Sequence, residues 1–278
     1  MKKKFISALL CIAMIIAIIP SAMTTLFAGE PTTPVYAVLT STGLFPADES
    51  GKQAGDTAIT DKTTITNLIV DATVTTIGKN AFMGCTNLTT VDFSNATTLT
   101  TIGIQAFSDC TNLTTVDLSN AIILTTIAIN AFACCTSLTT IDFPNATSLE
   151  TIGVNAFFQC TSLTTVTIPS TVKLIDMHAF ADCTSLTEIK FDGENTNYTA
   201  ENGVLFNKNK TELIQYPAGK IDTSYTIPAS VTTIDAYAFM GCENLTTVTL
   251  PTILETIGEC AFDGCKSLAE IKFDGENT

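Results

Sequence analysis

The chain has 278 residues and a formal net charge of −14, because 27 acidic residues outnumber 13 basic ones, all of which are lysine. The acidic balance and the lack of arginine argue against binding to nucleic acid or to an anionic membrane surface, both of which need basic patches. With no Trp and a single His, few residues remain that could build a catalytic site.

The first residues have the features of a secretory signal peptide. Three lysines follow the initiator methionine, and an almost uninterrupted apolar run extends from Phe5 to Ile19. This run is typical of the central region of a signal peptide and is too short for a comfortable membrane span. We expect a signal peptide over residues 1–28, with residue 37 as the latest cleavage point. The mature chain would then be secreted or held at the cell surface, without a transmembrane segment.

Residues 29–60 are rich in Thr, Gly, Pro and Ser and show no clear periodicity. We interpret them as an N-terminal cap or a flexible segment. Apolar periodicity begins at Ile65, and a repeat domain is predicted over residues 61–278.

The motif Ala-Phe-x-x-Cys recurs seven times in this domain, at intervals of 25, 25, 25, 23, 59 and 23 residues. A fixed period of about 20 to 30 residues is typical of a solenoid, in which each unit must stack on its neighbours to bury its apolar face. The cysteines of the motif are Cys85, Cys110, Cys135, Cys160, Cys183, Cys242 and Cys265.

One unit shows the predicted elements. Leu88-x-x-Val91-x-Phe93 is the strand pattern of a leucine-rich repeat. Because side chains alternate along a strand, Val91 and Phe93 should point inward while Thr90 and Asp92 point outward. The Ala-Phe-x-x-Cys segment is expected to form a short helical or 3₁₀ turn that places Phe in the core. The prediction is a mostly β leucine-rich repeat solenoid of the α/β class, with parallel strands on one face and helical turns on the other.

Nine cysteines remain after the leader, and seven of them occupy one equivalent position per repeat. Stacked repeats place equivalent Cα atoms about 5 Å apart, a separation at which a disulfide is conceivable. A column of small buried thiols explains the even spacing better, because Cys is often fully buried. Cys134 and Cys260 lie off this column and are expected to be partly exposed.

The 59-residue interval contains about 36 extra residues, roughly residues 192–226. Within it, residues 203–206 and 211–217 are β-prone runs around an Asn/Lys turn, which predicts an inserted β-hairpin. We expect the insertion to protrude from the solenoid or to cover a lost repeat. Residues 268–278 then repeat residues 186–196 almost completely and stop in mid-unit, so we expect a truncated C-terminus.

The units from residue 61 onward resemble the BspA-like leucine-rich repeat family of secreted and surface proteins. The resemblance rests on units such as Leu163 to Cys183 and on the insertion with Gly203-Val-Leu-Phe206 and Tyr216-Pro-Ala-Gly-Lys220. It implies a right-handed, curved solenoid with the strands on its concave face. It also implies adhesion and protein recognition, often on host or extracellular-matrix proteins, and no catalytic residues.

The only histidine is His178, which precedes the fifth Ala-Phe pair. As a catalytic base or metal ligand it would need partners, and Asp176 and Asp182 are the nearest in sequence. We interpret it as a surface loop residue. Without a second histidine, Ser-His-Asp, Cys-His and zinc clusters are disfavoured, so we predict that the chain is not an enzyme and has no cofactor.

Two outward columns could bind a ligand. Aspartates on successive strands would repel one another at about 5 Å, which calcium could relieve, although a solvated acidic stripe is the simpler interpretation. The weak calcium candidates are Asp92, Asp117 and Asp142. The second column is a threonine ladder, which the preference of Thr for exposed strand faces explains without a ligand.

The leading prediction is a non-enzymatic secreted or cell-surface protein whose strand face binds a protein partner. Alternatives are a structural surface or spacer protein without a specific ligand, and a glycan-binding module. The predicted partner-binding residues are Thr90, Asp92, Thr115, Asp117, Thr140, Asp142, Thr165 and Thr167, with Phe206, Lys208 and Tyr216 from the insertion.

Overall fold

The computed structural model describes residues 36–40, 43–46, 60–143 and 145–275. They belong to one compact unit. The predicted signal peptide, most of the predicted cap and the last three residues lie outside the described residues, as does the side chain of Asp142.

The first sheet runs along the repeats, with one strand from each successive coil. In spatial order its strands are β13 (Glu188–Phe191), β11 (Thr165–Ile168), β9 (Thr140–Asp142), β7 (Thr115–Asp117), β5 (Thr90–Asp92), β3 (Asn67–Val70), β1 (Tyr36–Thr40) and β2 (Gly43–Pro46). All neighbouring strands of this sheet pair in parallel except β2, which pairs antiparallel with β1.

A second parallel sheet forms on the return leg of each coil. Each of its strands has two residues, of which the first is at least partly exposed and the second is buried. The repeated pair is Thr-Ile, and Leu-Ile replaces it in the last strand. In spatial order the strands are β12 (Leu174–Ile175), β10 (Thr151–Ile152), β8 (Thr126–Ile127), β6 (Thr101–Ile102) and β4 (Thr76–Ile77). The described chain is therefore a mostly β, parallel-strand solenoid.

The alternation predicted for the strands of the first sheet is confirmed. Val91 and Phe93 are buried, while Asp92 is exposed and Thr90 half-buried. Because identical pairs recur in register, Val91 lies beside Val116 and continues the same apolar column through the core.

The Ala-Phe-x-x-Cys segments form hydrogen-bonded turns rather than the predicted helical turns. The N–H of Cys110 donates to the carbonyl of Phe107 at 3.2 Å, but the N–H of Phe107 donates to Ala131 of the next coil at 2.8 Å. Every second donor is thus used between coils and cannot build a helix. The only helix among the described residues is a 3₁₀ helix at Lys62–Thr64.

Backbone conformation explains why these turns do not continue as helices. Gln105 has φ 55° and Asp109 has φ 61°, so two residues of this turn lie in the left-handed region. A left-handed residue ends a right-handed helical turn, and the pair redirects alternate N–H groups toward the neighbouring coil. The equivalent residues Asn130 and Cys134 of the next coil also have positive φ.

Stacked phenylalanine rings fill the core behind the turns. The rings of Phe107 and Phe132 have centroids 5.3 Å apart and an interplanar angle of 7°. The other members of this stack, Phe82, Phe157 and Phe180, repeat the arrangement at 5.4 to 5.5 Å. Aromatic pairs in this range stabilise the core beyond their buried area alone.

Six of the seven ladder cysteines are buried and form the predicted column of thiols, while Cys265 is half-buried. Within this column, Cys110 donates to the carbonyl of Phe82 in the preceding coil at 3.1 Å. Cys135, Cys160 and Cys183 repeat this bond at 3.1 to 3.2 Å. Burial raises the pKa of Cys110 and of Cys183 to about 12, so these thiols stay protonated. Cys134 and Cys260 are half-buried, as expected from their position off the column.

Residues 192–226 interrupt both sheets. The second sheet ends at β12, where side chains of the inserted segment take the place of a next strand. The hydroxyl of Tyr198 accepts a hydrogen bond from the N–H of Ile175 at 2.9 Å. The amide of Asn197 donates to the carbonyl of Lys173 at 2.7 Å.

Two further sheets continue the solenoid after this interruption. The third combines antiparallel strands of the insertion with parallel return strands, in the order β14 (Tyr198–Glu201), β15 (Val204–Asn207), β16 (Glu212–Gln215), β18 (Thr233–Ile234) and β20 (Thr256–Ile257). The fourth is parallel and contains β17 (Ser224–Thr226), β19 (Thr247–Leu250) and β21 (Glu270–Phe273).

The insertion is part of the hydrophobic core. In β15, Leu205 packs into the apolar cluster of the preceding coils, while Val204 and Phe206 pack into the cluster of the following coils. Tyr216 stacks on Phe239 at 5.2 Å and so occupies the position of a ladder phenylalanine. The inserted segment therefore acts as a modified coil between two cores.

Candidate recognition surface

The outward residues of the first sheet form two columns across neighbouring coils. Strand register aligns the first column in the order Asn67, Thr90, Thr115, Thr140, Thr165 and Glu188. The second column aligns Ile69 with Asp92, Asp117 and Asp142, and then Thr167 with Lys190. We refer to these residues as the strand face.

The threonines of the strand face differ in their hydrogen bonding. Thr90 donates from its hydroxyl to the side-chain carbonyl oxygen of Asn67 at 2.6 Å. Thr115, Thr140 and Thr165 are exposed, and their hydroxyls have no hydrogen-bond partner among the described side chains and backbone. These three hydroxyls are available to a ligand.

The adjacent threonine column has a structural role. The hydroxyl of Thr114 donates to the carbonyl of Thr89 at 3.1 Å, and the backbone N–H of Thr114 donates to the same oxygen at 3.0 Å. Thr139 and Thr187 repeat the hydroxyl bond to the preceding coil. At Thr114-Thr115 and Thr139-Thr140, the first threonine therefore joins the coils and the second faces solvent.

The aspartates of the strand face are engaged locally. One carboxylate oxygen of Asp92 accepts from the N–H of Ser94 at 2.7 Å, and one of Asp117 accepts from Ser119 at 2.9 Å. No group of three metal-binding side chains comes together among the described residues. The side chain of Asp142, the third calcium candidate, lies outside them.

The prediction that Phe206 and Tyr216 contact a partner is wrong. Phe206 and Tyr216 are fully buried, because the insertion uses their rings to fill the core. The hydroxyl of Tyr216 comes within 3.5 Å of Asp222, so even its polar end is engaged within the protein. A partner could reach neither ring without opening the core.

Lys208 is exposed beside the end of the strand face. Its ammonium group donates to the carbonyl of Asn195 at 2.6 Å and lies 3.8 Å from a carboxylate oxygen of Glu194. Together with Lys190 and Tyr198 it lines a groove of about 260 Å³ next to β13. The charge of the face thus changes from aspartate on the early coils to lysine at this groove.

Sequence reasoning missed an exposed apolar pair, Ile122 and Ile123. These side chains are 45% and 41% exposed on the loop after β7, at the edge of the strand face. The neighbouring coils have Thr97-Thr98 and a Thr-Ser pair at the same position. The replacement of hydroxyl residues by two isoleucines at this position could have indicated the exposed apolar pair from the sequence.

His178 is half-buried, whereas the sequence placed it in a surface loop. Its ring lies 4.2 Å from that of Tyr237, and its buried Nε2 atom has no hydrogen-bond partner in the described part of the chain. Desolvation lowers the pKa of His178, against the opposing influence of Asp235, Asp176 and Glu259.

No helix in the described part of the chain is both long and apolar enough to cross a bilayer.

The family model of the BspA type leucine rich repeat region matches residues 52–187, 122–225 and 218–278. The crystal structure of the pneumococcal vaccine antigen PcpA is similar, with 28% identity and a TM-score of 0.68 over 81% of this chain and 53% of that one. No curated protein matches by sequence.

Two further solved structures resemble the chain. A leucine rich cell surface protein from Faecalibacterium prausnitzii is 32% identical, with a TM-score of 0.57 over 75% of this chain and 61% of that one. A leucine-rich repeat protein from Eubacterium ventriosum is 27% identical, with a TM-score of 0.64 over 84% and 68% of the two chains. The chain thus spans only 53% and 61% of the first two structures it matches.

Proposed function

Because the chain belongs to the BspA-type leucine-rich repeat family, we propose that it is a non-enzymatic protein, secreted or held at the cell surface, that recognises a protein partner through the strand face. The similar structures include a cell surface protein and a vaccine antigen, which supports a location outside the cell. Adhesion to host or extracellular-matrix proteins is the specific role we infer.

The observation that carries the proposal is the row of unengaged hydroxyls at Thr115, Thr140 and Thr165. The hydroxyls of the neighbouring threonines already form hydrogen bonds between coils. The stability of the solenoid therefore does not require hydroxyls at Thr115, Thr140 and Thr165 as well. A rigid parallel sheet holds the three groups at the strand spacing of about 4.8 Å. Such a preorganised surface loses little entropy on binding.

The charge of the strand face indicates how a partner would be oriented. The early coils present Asp92 and Asp117, whereas the last coil before the insertion presents Lys190 near Lys208. Complementary charges steer encounter and set orientation more than they add affinity. The exposed pair at residues 122–123 offers apolar anchoring area at the edge of this face.

The proposal is tested by replacing Asp92, Asp117 and Asp142 together with Ala and measuring binding of the labelled chain to a panel of extracellular-matrix proteins and to host cells. We expect binding to weaken about tenfold or more, which corresponds to about 1.4 kcal/mol. Raising the salt concentration should weaken the unmodified chain in the same direction.

A charge-matched control replaces three exposed carboxylates away from the strand face, Glu255, Glu259 and Asp263, with Ala. If binding falls equally in both triple variants, the loss is caused by the change in net charge and not by the position of the aspartates. Binding that survives in the aspartate variant would show that these three aspartates are not part of the binding site.

A structural or spacer role is the second candidate, because the strands are so uniform and because one threonine column serves only to join coils. It predicts that no matrix protein or cell type binds the chain above background, with or without the substitutions. A glycan array addresses the remaining alternative of a glycan-binding module, which the lack of Trp disfavours.

A further inference from the structure

A column of apolar side chains lies on the Ala-Phe-x-x-Cys turns of the coils before the insertion. Each member is two residues before an Ala-Phe pair, and the column consists of Ile104, Ile129, Val154 and Met177. The N–H of Gln105, beside Ile104, donates to the carbonyl of Ile129 at 2.9 Å, and the same bond recurs between the following coils at 2.9 and 3.1 Å. The backbone therefore stacks these four residues on successive coils, and we refer to them as the apolar column.

The apolar column is open to solvent. Ile104, Ile129 and Met177 are 37%, 42% and 53% exposed. On the coil of Met177, the outward residue of the return strand is Leu174, which is also exposed and lies where the preceding coil has Thr151. Single exposed apolar residues are common on protein surfaces, whereas a contiguous apolar patch with a polar rim is typical of an interaction site.

The turn itself does not require apolar residues at this position. The equivalent residue is Lys79 in the coil before Ile104, and it is Ala236 and Glu259 in the coils after the insertion. These coils form the same turn, since the N–H of Tyr237 donates to the carbonyl of Glu259 at 3.0 Å. Folding of the turn thus does not explain why four consecutive coils carry exposed apolar side chains here.

The spacing of the apolar column favours a helical partner. Equivalent residues on stacked coils repeat at about 4.8 Å. An amphipathic helix that lies along the column presents apolar side chains once per turn, at about 5.4 Å. From the first to the last coil of the column, these two periods drift apart by only about 1.8 Å. The side chains on one side of an extended segment repeat at about 6.6 Å, so they would drift by about 5.4 Å.

Carboxylates lie at one end of the apolar column, whereas the other end is the lysine of the first coil. Asp176 directly precedes Met177. The ring of His178 lies 4.2 Å from that of Tyr237, whose N–H donates to the carbonyl of Glu259. Neither of these two carboxylates forms a salt bridge within the described residues. Basic residues at one end of a partner complement this end, whereas a second copy of the chain, with its own net charge of −14, is repelled.

We propose that the apolar column binds an amphipathic α-helix of another protein, which lies along the solenoid with its basic end at Asp176. One apolar residue from each helical turn packs on one coil, and the lysine or arginine residues at the end of the helix pair with Asp176 and Glu259. The site lies on the turns that follow the second sheet, so it binds its partner independently of the strand face.

The test measures the fluorescence anisotropy of labelled peptides titrated with the full chain. The first peptide is an Ala-rich helix of about 18 residues, a length that is helical in water, with Leu once per turn and lysines at one end. The second has the same composition but Leu at every second residue, and the third has glutamates in place of the lysines. We expect the first peptide to bind about tenfold more tightly than either of the others.

A double substitution tests the apolar column directly. Ile104→Ser with Ile129→Ser should weaken binding of the first peptide about tenfold. The matched control is Ile122→Ser with Ile123→Ser, because these isoleucines are similarly exposed but lie at the edge of the strand face. The control should bind the peptide as the unmodified chain does.

A second variant tests the charged end without changing the apolar column. Asp176→Asn with Glu259→Gln keeps the size of both side chains, and Asn retains the oxygen that accepts the N–H of Met177 at 2.8 Å. This variant should lose most of the preference for the peptide with lysines over the peptide with glutamates.

The proposal is overturned if no peptide binds, if the peptide with alternating Leu binds as tightly as the helical one, or if the column variant and its control lose affinity equally. A dimer in sedimentation that the column variant dissociates would also overturn it, because the occupant would then be a second copy. The measurement on the unmodified chain does not depend on whether a variant folds. Its outcome is also independent of whether the strand face binds a matrix protein.

Discussion

The coils before the insertion, residues 60–191, differ from residues 192–275 in the continuity of their stacking. We call them the regular block and the modified block. In the regular block, two sheets, one phenylalanine stack and one thiol column run without interruption to β13 and Phe180. In the modified block all four features are replaced or restarted. Repeats of 23 to 25 residues thus keep every ladder in register at once, and the longer insertion breaks all of them together.

In the modified block, other residues fill the core positions that the repeated residues occupy in the regular block. Tyr216 takes the place of a ladder phenylalanine. Gly219 lies three residues after it, where a ladder cysteine would be, and a Cβ atom there would lie 2.4 Å from the backbone of Ser185. The inserted coil therefore passes so close to its neighbour that only glycine fits.

The largest expected effect comes from breaking the phenylalanine stack of the regular block. Phe157 is fully buried between Phe132 and Phe180, at 5.5 Å from each. Phe157→Ala should lower the free energy of unfolding by about 3 to 5 kcal/mol, because it leaves a cavity and removes two ring contacts. Urea denaturation followed by circular dichroism measures this loss.

The neighbouring Phe158 provides a matched control, since it is only half-buried. Phe158→Ala should cost clearly less than Phe157→Ala. Equal losses for the two variants would show that the ring stack does not dominate the stability of this block.

A somewhat smaller effect should separate the two cores. Leu205 packs into the regular block, and the next residue, Phe206, packs into the modified block. Leu205→Ala should increase amide hydrogen exchange mainly before residue 192, and Phe206→Ala mainly after it. Each variant should lose about 2 to 5 kcal/mol locally. Exchange that rises throughout the chain in both variants would mean that the blocks unfold as one unit.

The smallest expected effect is a pH dependence at His178, which contacts Tyr237 of the modified block. Desolvation lowers its pKa below the ordinary 6.5, so the unfolded chain binds a proton more readily than the folded one. The contribution to stability is therefore constant above about pH 6.5 and decreases as the pH falls from there toward the folded pKa.

This loss should be smaller in His178→Asn, because Asn does not titrate and tolerates the left-handed backbone of this residue, φ 60°. Urea midpoints measured between about pH 7.5 and 5 for both chains give the comparison. Parallel curves would show that His178 does not contribute to acid sensitivity.

Much of the strand face could be predicted from sequence, because a period of two decides which side of a strand a residue occupies. Val91 and Asp92 were assigned to opposite sides correctly for this reason. This period could not show whether Phe206 and Tyr216 of the insertion are exposed, and both are buried. Alternation shows that two residues differ in side, but in the insertion both sides of β15 are covered, so neither side faces solvent.

The repeat length, the inward and outward columns and most of the buried thiols could be predicted from local periodicity in the chain, and the repeat motif indicated the family. The contacts between coils were needed to show which hydrogen bonds each turn makes, that Thr114 joins coils while Thr115 faces solvent, and that the insertion lies in the core. These features depend on what the neighbouring coil presents across about 5 Å. That neighbour is 23 to 25 residues away in a regular coil and follows no constant spacing at the insertion.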